Sequence, residues 1–358
     1  MIEVPATMRS AIHRAQGDVG VEERPVPRPG PGQVLVQVAF CGVCGSDIHI
    51  MIEGWGKPGG VGGHEYSGVV AAVGEGVERW SVGDLVVGGP SPRCGQCRRC
   101  REGKPSQCSR RSAPVDHDTG GAFAGFLVTD ARSLVALPAG MPLRVAALAE
   151  PLAVALHGIT RSGAAPGDAA MVFGAGPIGA LTIAALVAKD IGPVVVVEPG
   201  ERRRRLAADL GAAAVLSPDE LETYPPWEPE RQSSRAVDVV FECSGKRAAM
   251  EAGFHQLRRG GMLVLVGAGM EAPSFDPNRM ILNEITVTGS FVYDADGFDR
   301  ALELLASGRL PVDRLIDGED VGLEGLGAAM ERLASGAIAG KVMIVPGGAG
   351  AADGGRSA

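Results

Sequence analysis

Gly174-Ala175-Gly176-Pro177-Ile178-Gly179 decides how this chain is read. The stretch fits G-x-G-x-x-G, follows the apolar run 170–174 and opens the Ala/Leu-rich segment 178–189. Strand, glycine turn and helix in that order are the context that gives the motif meaning. Without Cβ atoms the backbone can approach a pyrophosphate, and the helix N-terminus supplies N–H donors and the positive end of a dipole. Gly174, Gly176, Pro177, Ile178 and Gly179 are therefore candidate cofactor contacts. A second strand, 194–197, leads to Glu198, about 20 residues beyond the turn, where an acid accepts from a ribose 2′-hydroxyl and repels a 2′-phosphate. NAD is expected over NADP. Among the arginines Arg202–Arg205, Arg203 is the candidate to reach a cofactor phosphate. The rest of the run reads as a solvated helix face.

Outward from the turn, strands are expected at 213–216, 237–241, 262–266 and 285–288, with helices at 202–210 and 246–258. Gly267, just past one of these strands, joins the candidate cofactor contacts. Alternating βα units give a parallel sheet with helices on both faces. Six strands make a doubly wound Rossmann sheet in an α/β chain. Before it, to about Leu137, the pattern is short strands (34–40, 66–73, 82–87) and Gly/Pro turns, an irregular β-rich domain. A helix is expected over 145–162. After Phe291 come helices at 297–307 and 323–335 and a strand at 341–345; the Gly/Ala-rich tail 346–358 is expected to be disordered.

The whole chain has 358 residues, enough for two domains. Its formal net charge of −8 argues against a nucleic-acid partner, which needs a basic face. No run of about 20 apolar residues is evident, so no membrane span is expected. Met1-Ile2-Glu3-Val4-Pro5 lacks a basic region before an apolar core, and a cytoplasmic location is expected.

Four of the seven cysteines, Cys94, Cys97, Cys100 and Cys108, lie within fifteen residues. Four thiolates with no position left open suit structural zinc. The bacterial iron–sulfur run C-x2-C-x2-C-x3-C-P does not match, because the last gap here is seven and Ser109 follows Cys108. Cys44, His64, Glu65 and Glu150 are candidates for a second site, since thiolate, imidazole and carboxylate all bind zinc and catalytic sites keep a position open. Spacing alone leaves this second site balanced against a buried cysteine, a surface turn and a helical glutamate.

In order along the chain stand Gly42-Val43-Cys44-Gly45-Ser46-Asp47-Ile48-His49, Gly63-His64-Glu65, the four-cysteine loop, Glu150-Pro151-Leu152 and the glycine turn. This set resembles the zinc-dependent medium-chain alcohol dehydrogenase family, on its polyol (sorbitol) and threonine dehydrogenase side, from about Met8 to Val345. The resemblance implies a GroES-like catalytic β-barrel made of 1–156 and 292–358, wrapped around a nucleotide domain of 157–291. It implies two zinc ions per subunit, one structural and one catalytic, and NAD. Cys44 and His64 would ligate the catalytic zinc, with Glu65 or Glu150 approaching it directly or through water. Asp47 would orient the His64 ring. Ser46 would take the proton of a bound alcohol, and His49 would pass it to solvent through the cofactor ribose. The reaction implied is hydride transfer between a secondary alcohol and NAD in a homo-oligomer, a tetramer in preference to a dimer. Sorbitol dehydrogenases resemble Phe291-Val292-Tyr293 but carry arginine in the middle position, a departure that puts sorbitol itself in doubt. Phe291, Tyr293, Trp55 and Phe123 are candidate pocket walls, at least half of them expected in the core. The rival readings are a zinc-free quinone or enoyl reductase on the same fold and a non-catalytic protein that binds NAD and zinc.

Overall fold

The computed structural model describes residues 2–90, 94–110, 120–225 and 227–347. The N-terminal region begins with a hairpin of β1 (Thr7–Ala15) and β2 (Asp18–Pro25). Then follow β3 (Gln33–Gly42), α1 (Gly45–Met51), β4 (Glu65–Val73), β5 (Leu85–Gly88), α2 (Arg98–Arg101), β6 (Phe126–Asp130) and β7 (Leu134–Ala136). β3 pairs antiparallel with β4 and β6, β4 with β5, and β5 with β7. The apolar residues of β3 do not alternate with polar ones because both faces are covered. Val34, Val36 and Val38 enter one core, and Leu35 packs in another with Ala71 and Phe126.

The helix expected over 145–162 is two helices, α3 (Leu143–Ala146) and α4 (Ala149–Ser162). Pro151 explains the break, since its missing N–H cannot bond to the Ala147 carbonyl four residues back. By length and composition Leu143–Ser162 could cross a membrane, which corrects the expectation that no such segment exists. It is instead mostly buried, with α4 packed against α5 (Pro177–Ala188) and α9 (Gly297–Ala306).

The second sheet holds β8 (Ala170–Phe173), β9 (Val194–Val197), β10 (Ala214–Leu216), β11 (Val237–Glu242), β12 (Leu257–Leu265) and β13 (Thr286–Gly289). All its pairings are parallel, in the order β10-β9-β8-β11-β12-β13. Between them lie α6 (Glu201–Asp209), α7 (Arg247–His255) and α8 (Pro277–Leu282). The strand order reverses between β8 and β11, the place where such sheets open a ligand crevice. The helix expected to Arg258 stops at His255, and β12 starts five residues before its expected first residue. The buried guanidinium of Arg279 accounts for this, donating to the carbonyls of His255 and Leu257 where helix gives way to strand.

The chain then returns to the first sheet. α10 (Val312–Leu315) and α11 (Leu326–Ala334) precede β14 (Met343–Ile344), which pairs antiparallel with Gly42 and Cys41 of β3. The strand is shorter than the five residues expected. Residues 348–358, most of the tail expected to be disordered, lie outside the described residues.

Candidate active site

The glycine turn is built by steric necessity. Gly174 has φ +86°, and a Cβ there would sit 2.9 Å from Cβ of Ser244. A Cβ on Gly179 would lie 1.8 Å from the Gly174 carbonyl oxygen, so the start of α5 can press on the turn only without a side chain. Gly176 faces open space, with nothing nearer to its added Cβ than the Arg203 guanidinium at 3.9 Å. The cradle therefore has room for a phosphate and a cation beside it. Arg203 also donates to the carbonyl of Leu333 at 2.7 Å, joining α6 to α11. Arg204 is not a plain solvated residue either, since it donates to the Glu198 and Pro199 carbonyls.

Glu198 is buried, and its two oxygens accept from the backbone N–H groups of Ala175 and Gly200, each at 2.8 Å. Anchored in this way, it presents a fixed anion at the end of β9. Glu242 plays a matching part at the end of β11, where its buried carboxylate accepts from the N–H groups of Ser244 and Gly245. Burial pushes its pKa up while those hydrogen bonds pull it down, and the net direction is upward. Gly267 packs against this loop, because a Cβ there would meet the Gly245 nitrogen at 2.3 Å.

Cys44 comes from the N-cap of α1, and His64 and Glu65 are neighbours where the turn after Gly63 enters β4. Their donor atoms all lie within 4.8 Å of one another. Asp47 holds the pieces together. Its carboxylate accepts from the backbone N–H of Cys44 at 2.9 Å and of Gly63 at 3.2 Å. Its distance to the His64 ring, 3.7 Å to Nδ1, is too long for a hydrogen bond. Asp47 thus places His64 through the backbone of Gly63 and stands beside the ring as a buried ion-pair partner. Burial opposes a charge on His64, but Asp47, Cys44 and Glu150 outweigh it, and the ring's pKa is raised well above its ordinary value. A site that draws a proton this strongly is short of positive charge.

Lys341 supplies some. This lysine is 1% exposed, and its Nζ donates to Glu65 Oε1 at 2.8 Å and to the Val43 carbonyl at 3.1 Å. Oε2 of Glu65 lies 2.7 Å from the same Nζ but outside hydrogen-bond geometry, and Nδ1 of His64 is buried without a hydrogen-bond partner. Two buried polar atoms facing a thiol fit a divalent cation with mixed N, O and S donors. Sequence reasoning missed Lys341. The available signal was a lysine opening an otherwise apolar run, Lys341-Val342-Met343-Ile344-Val345. Glu150, in the first turn of α4, stands outside the 4.8 Å set but close enough to raise the pKa of both His64 and Lys341.

Further along α4, His157 and Arg161 line a cleft of about 400 Å³ together with Gln107, Val266, Ser290 and Phe291. Of the four candidate wall residues, Phe291 lines this cleft, whereas Phe123 is fully buried in the core. Tyr293 is buried edge-on against Phe298, and Trp55 is stacked on His49. Val292 has φ +49°, a strained conformation for a β-branched residue and the kind found at functional sites.

The thiolate loop is compact. Sγ of Cys108 lies 3.5 Å from that of Cys94, and the pairs Cys94–Cys100 and Cys97–Cys108 are each 3.9 Å apart. A tetrahedral zinc with Zn–S of about 2.3 Å sets its sulfurs about 3.8 Å apart. Backbone N–H groups, chiefly that of Cys100, bring the Cys97 thiol down to about 5, whereas burial pushes Cys100 up to about 12.

A dinucleotide cradle, a mixed-donor metal site and a tetrathiolate loop on these two sheets define a zinc-binding dehydrogenase, an oxidoreductase. Residues 30–139 match the alcohol dehydrogenase GroES-like domain, and residues 177–307 match the zinc-binding dehydrogenase domain. The chain belongs to the zinc-dependent alcohol dehydrogenase family, with polyol dehydrogenases among its relatives. It is 39% identical over 80% of its length to 2-dehydro-3-deoxy-L-galactonate 5-dehydrogenase of Pseudoalteromonas atlantica, covering 84% of that protein. It is 32% identical to sorbitol dehydrogenase of Bacillus subtilis over 92% of this chain and 94% of the other. The crystal structure of 2R,3R-butanediol dehydrogenase from Bacillus subtilis superimposes with a TM-score of 0.82 at 30% identity, covering 95% of this chain and 99% of that one.

Proposed function

We propose that this chain catalyses reversible, NAD-linked oxidation of a secondary alcohol of the polyol or sugar-acid type to the ketone. The observation that carries the reading is the convergence of Cys44, His64 and Glu65 within 4.8 Å on the chain that also holds the glycine cradle. In this reading those three residues hold a catalytic zinc, with Glu150 facing it, and Cys94, Cys97, Cys100 and Cys108 hold a structural one. When bound, zinc would supply Lewis acidity that eases loss of the alcohol's hydroxyl proton, and NAD would accept the hydride from the carbinol carbon. The protein's own residues do the rest. Ser46 accepts the hydroxyl proton of the alcohol and His49 carries it toward solvent. The fixed anion of Glu198 favours a free ribose hydroxyl over a phosphate, and Arg203 beside Gly176 receives the cofactor phosphates. Val292, where sorbitol dehydrogenases carry arginine, favours a substrate other than sorbitol.

The division into a catalytic unit of 1–156 with 292–358 and a nucleotide unit of 157–291 belongs to the same proposal, with α4 running through the first boundary. So does a cytoplasmic homo-oligomer. The outer edge of β13, with Ile281 and Leu282 exposed nearby on α8, is the surface on which two copies would join. The test is turnover of the zinc-loaded protein on a panel of polyols, sugar acids, vicinal diols, amino alcohols and simple alkanols, with NAD and with NADP. Zinc-dependent reduction of NAD by one class supports the reading. Turnover that survives zinc removal returns the protein to the zinc-free reductases. Silence across the panel with zinc and NAD both bound leaves a binding protein.

A further inference from the structure

We infer that Glu53 and Trp55 are positioning residues for His49, fixing its ring plane and its tautomer for proton release. The inference rests on the proposal that His49 is the outer group of the proton relay. Beyond α1 the chain doubles back: the Trp55 N–H donates to the His49 carbonyl at 3.0 Å and the Gly56 N–H to that of Ile50 at 3.1 Å. Gly54, at φ +83°, makes the turn. The fold-back lays the Trp55 indole flat on the His49 imidazole, with centroids 4.4 Å apart and planes within 11°. The segment is tied down beyond the turn as well, since the Gly59 N–H donates to the His13 carbonyl at 2.7 Å and the His13 N–H to that of Gly60 at 3.0 Å. Nδ1 of His49 lies 2.8 Å from Oε2 of Glu53, four residues on.

A carboxylate only accepts, so the ring nitrogen facing Glu53 carries the hydrogen. In the neutral imidazole Nε2 is then the acceptor, free to take one proton and release it to water while Nδ1 keeps its own. Fold stability does not account for this arrangement. Glu53 is about half exposed, and an exposed pair of this kind adds little. The stack removes rotation of the ring and the carboxylate removes the wrong tautomer.

The test uses the full-length, zinc-loaded protein with Glu53→Gln, whose amide donates as readily as it accepts, and Trp55→Ala. Nitrogen-15 NMR of the imidazole is expected to show the Nδ1–H tautomer in the parent protein and a mixture in Glu53→Gln. Turnover is expected to fall about five- to tenfold in Glu53→Gln, a fraction of the 10²–10⁴-fold scale of acid–base catalysis, with KM for NAD unchanged. Trp55→Ala is expected to lower kcat in the same sense, with Trp55→Phe restoring it. In a His49→Gln background Glu53→Gln should cost nothing further, because the two act as one unit. An unchanged tautomer in Glu53→Gln, or an equal loss with and without His49, overturns the inference. Normal turnover of His49→Gln alone overturns the relay itself, which the NMR result does not depend on.

Discussion

The two candidate metal sites are opposites in construction. The thiolate loop takes its four donors from fifteen consecutive residues and leaves three of the cysteines partly exposed. The mixed-donor set draws on the N-cap of α1 and the adjacent pair His64-Glu65, buries His64 and Glu65, and leans on a lysine 276 residues from Glu65. One site is local and its backbone closes around four like donors; the other joins the N-cap of α1 to the start of β4 and takes its counter-charge from Lys341. The first is suited to holding a shape. The second mixes donors, keeps charges in balance and can leave a coordination position for chemistry.

The sharpest way to break this contrast is to remove one donor from each site. His64→Ala and Cys44→Ser are expected to cut kcat/KM by at least about 10³-fold, since metal Lewis acidity and the activated alcohol are lost together. Thermal unfolding of the same variants should change far less than turnover. Cys100→Ser should do the reverse: zinc content is expected to fall by one ion per chain and Tm to fall, while kcat per folded molecule holds within about threefold. Equal damage to turnover from both kinds of variant would erase the distinction.

Lys341→Met probes the charge balance of the buried site. Removing one partner of a buried pair costs about 3–5 kcal/mol, because Glu65 is left unpaired in the core. Zinc should restore part of this loss by serving as the missing cation. The drop in stability, measured by denaturant unfolding, is thus expected to be larger without metal than with it. An identical loss in both states would remove Lys341 from the metal site's electrostatics.

Acid should separate the sites next. In the metal-free protein His64 keeps its proton to higher pH when folded than when unfolded. Its contribution to stability is therefore full below the ordinary imidazole pKa and is lost as pH rises through the raised folded value. Zinc needs the neutral ring, so binding there expels a proton and weakens as pH falls. In the loop the shifts run both ways, with Cys97 lowered to about 5 by backbone N–H groups and Cys100 raised to about 12 by burial, and its zinc is held by four thiolates at once. On acidification the buried site is expected to release zinc at higher pH than the loop, as followed by metal release to a chromogenic chelator. The smallest expected effect is at Glu198→Gln, where the preference for NAD over NADP should fall about tenfold, one fixed charge being worth roughly 1.4 kcal/mol here.

What was legible in the sequence follows the same division. Cys94, Cys97, Cys100 and Cys108 announce themselves because a local loop is its own evidence, and Gly174–Gly179 does so because sterics allow no other residue at its ends. Cys44 and His64 gained meaning only by resemblance, since their spacing of twenty says nothing about contact. Lys341 was invisible because its partner is far along the chain. Arg279 was hidden likewise: its carbonyl partners at His255 and Leu257 set where α7 ends, and no periodicity reports that. Phe123 and Phe291 look alike in sequence, yet one is sealed in the core and the other borders the cleft.

The return of the chain to β3 also sets an order of events during synthesis. Lys341, Met343 and Ile344 leave the ribosome after every strand of the parallel sheet, which can fold while they are still being made. Until they arrive, Cys41 and Gly42 at the end of β3 lack their partner strand and the Glu65 carboxylate has no ammonium beside it. An exposed strand edge at that stage is a template for wrong pairing. Metal delivered early, by neutralising Glu65 before Lys341 can, would shorten that window.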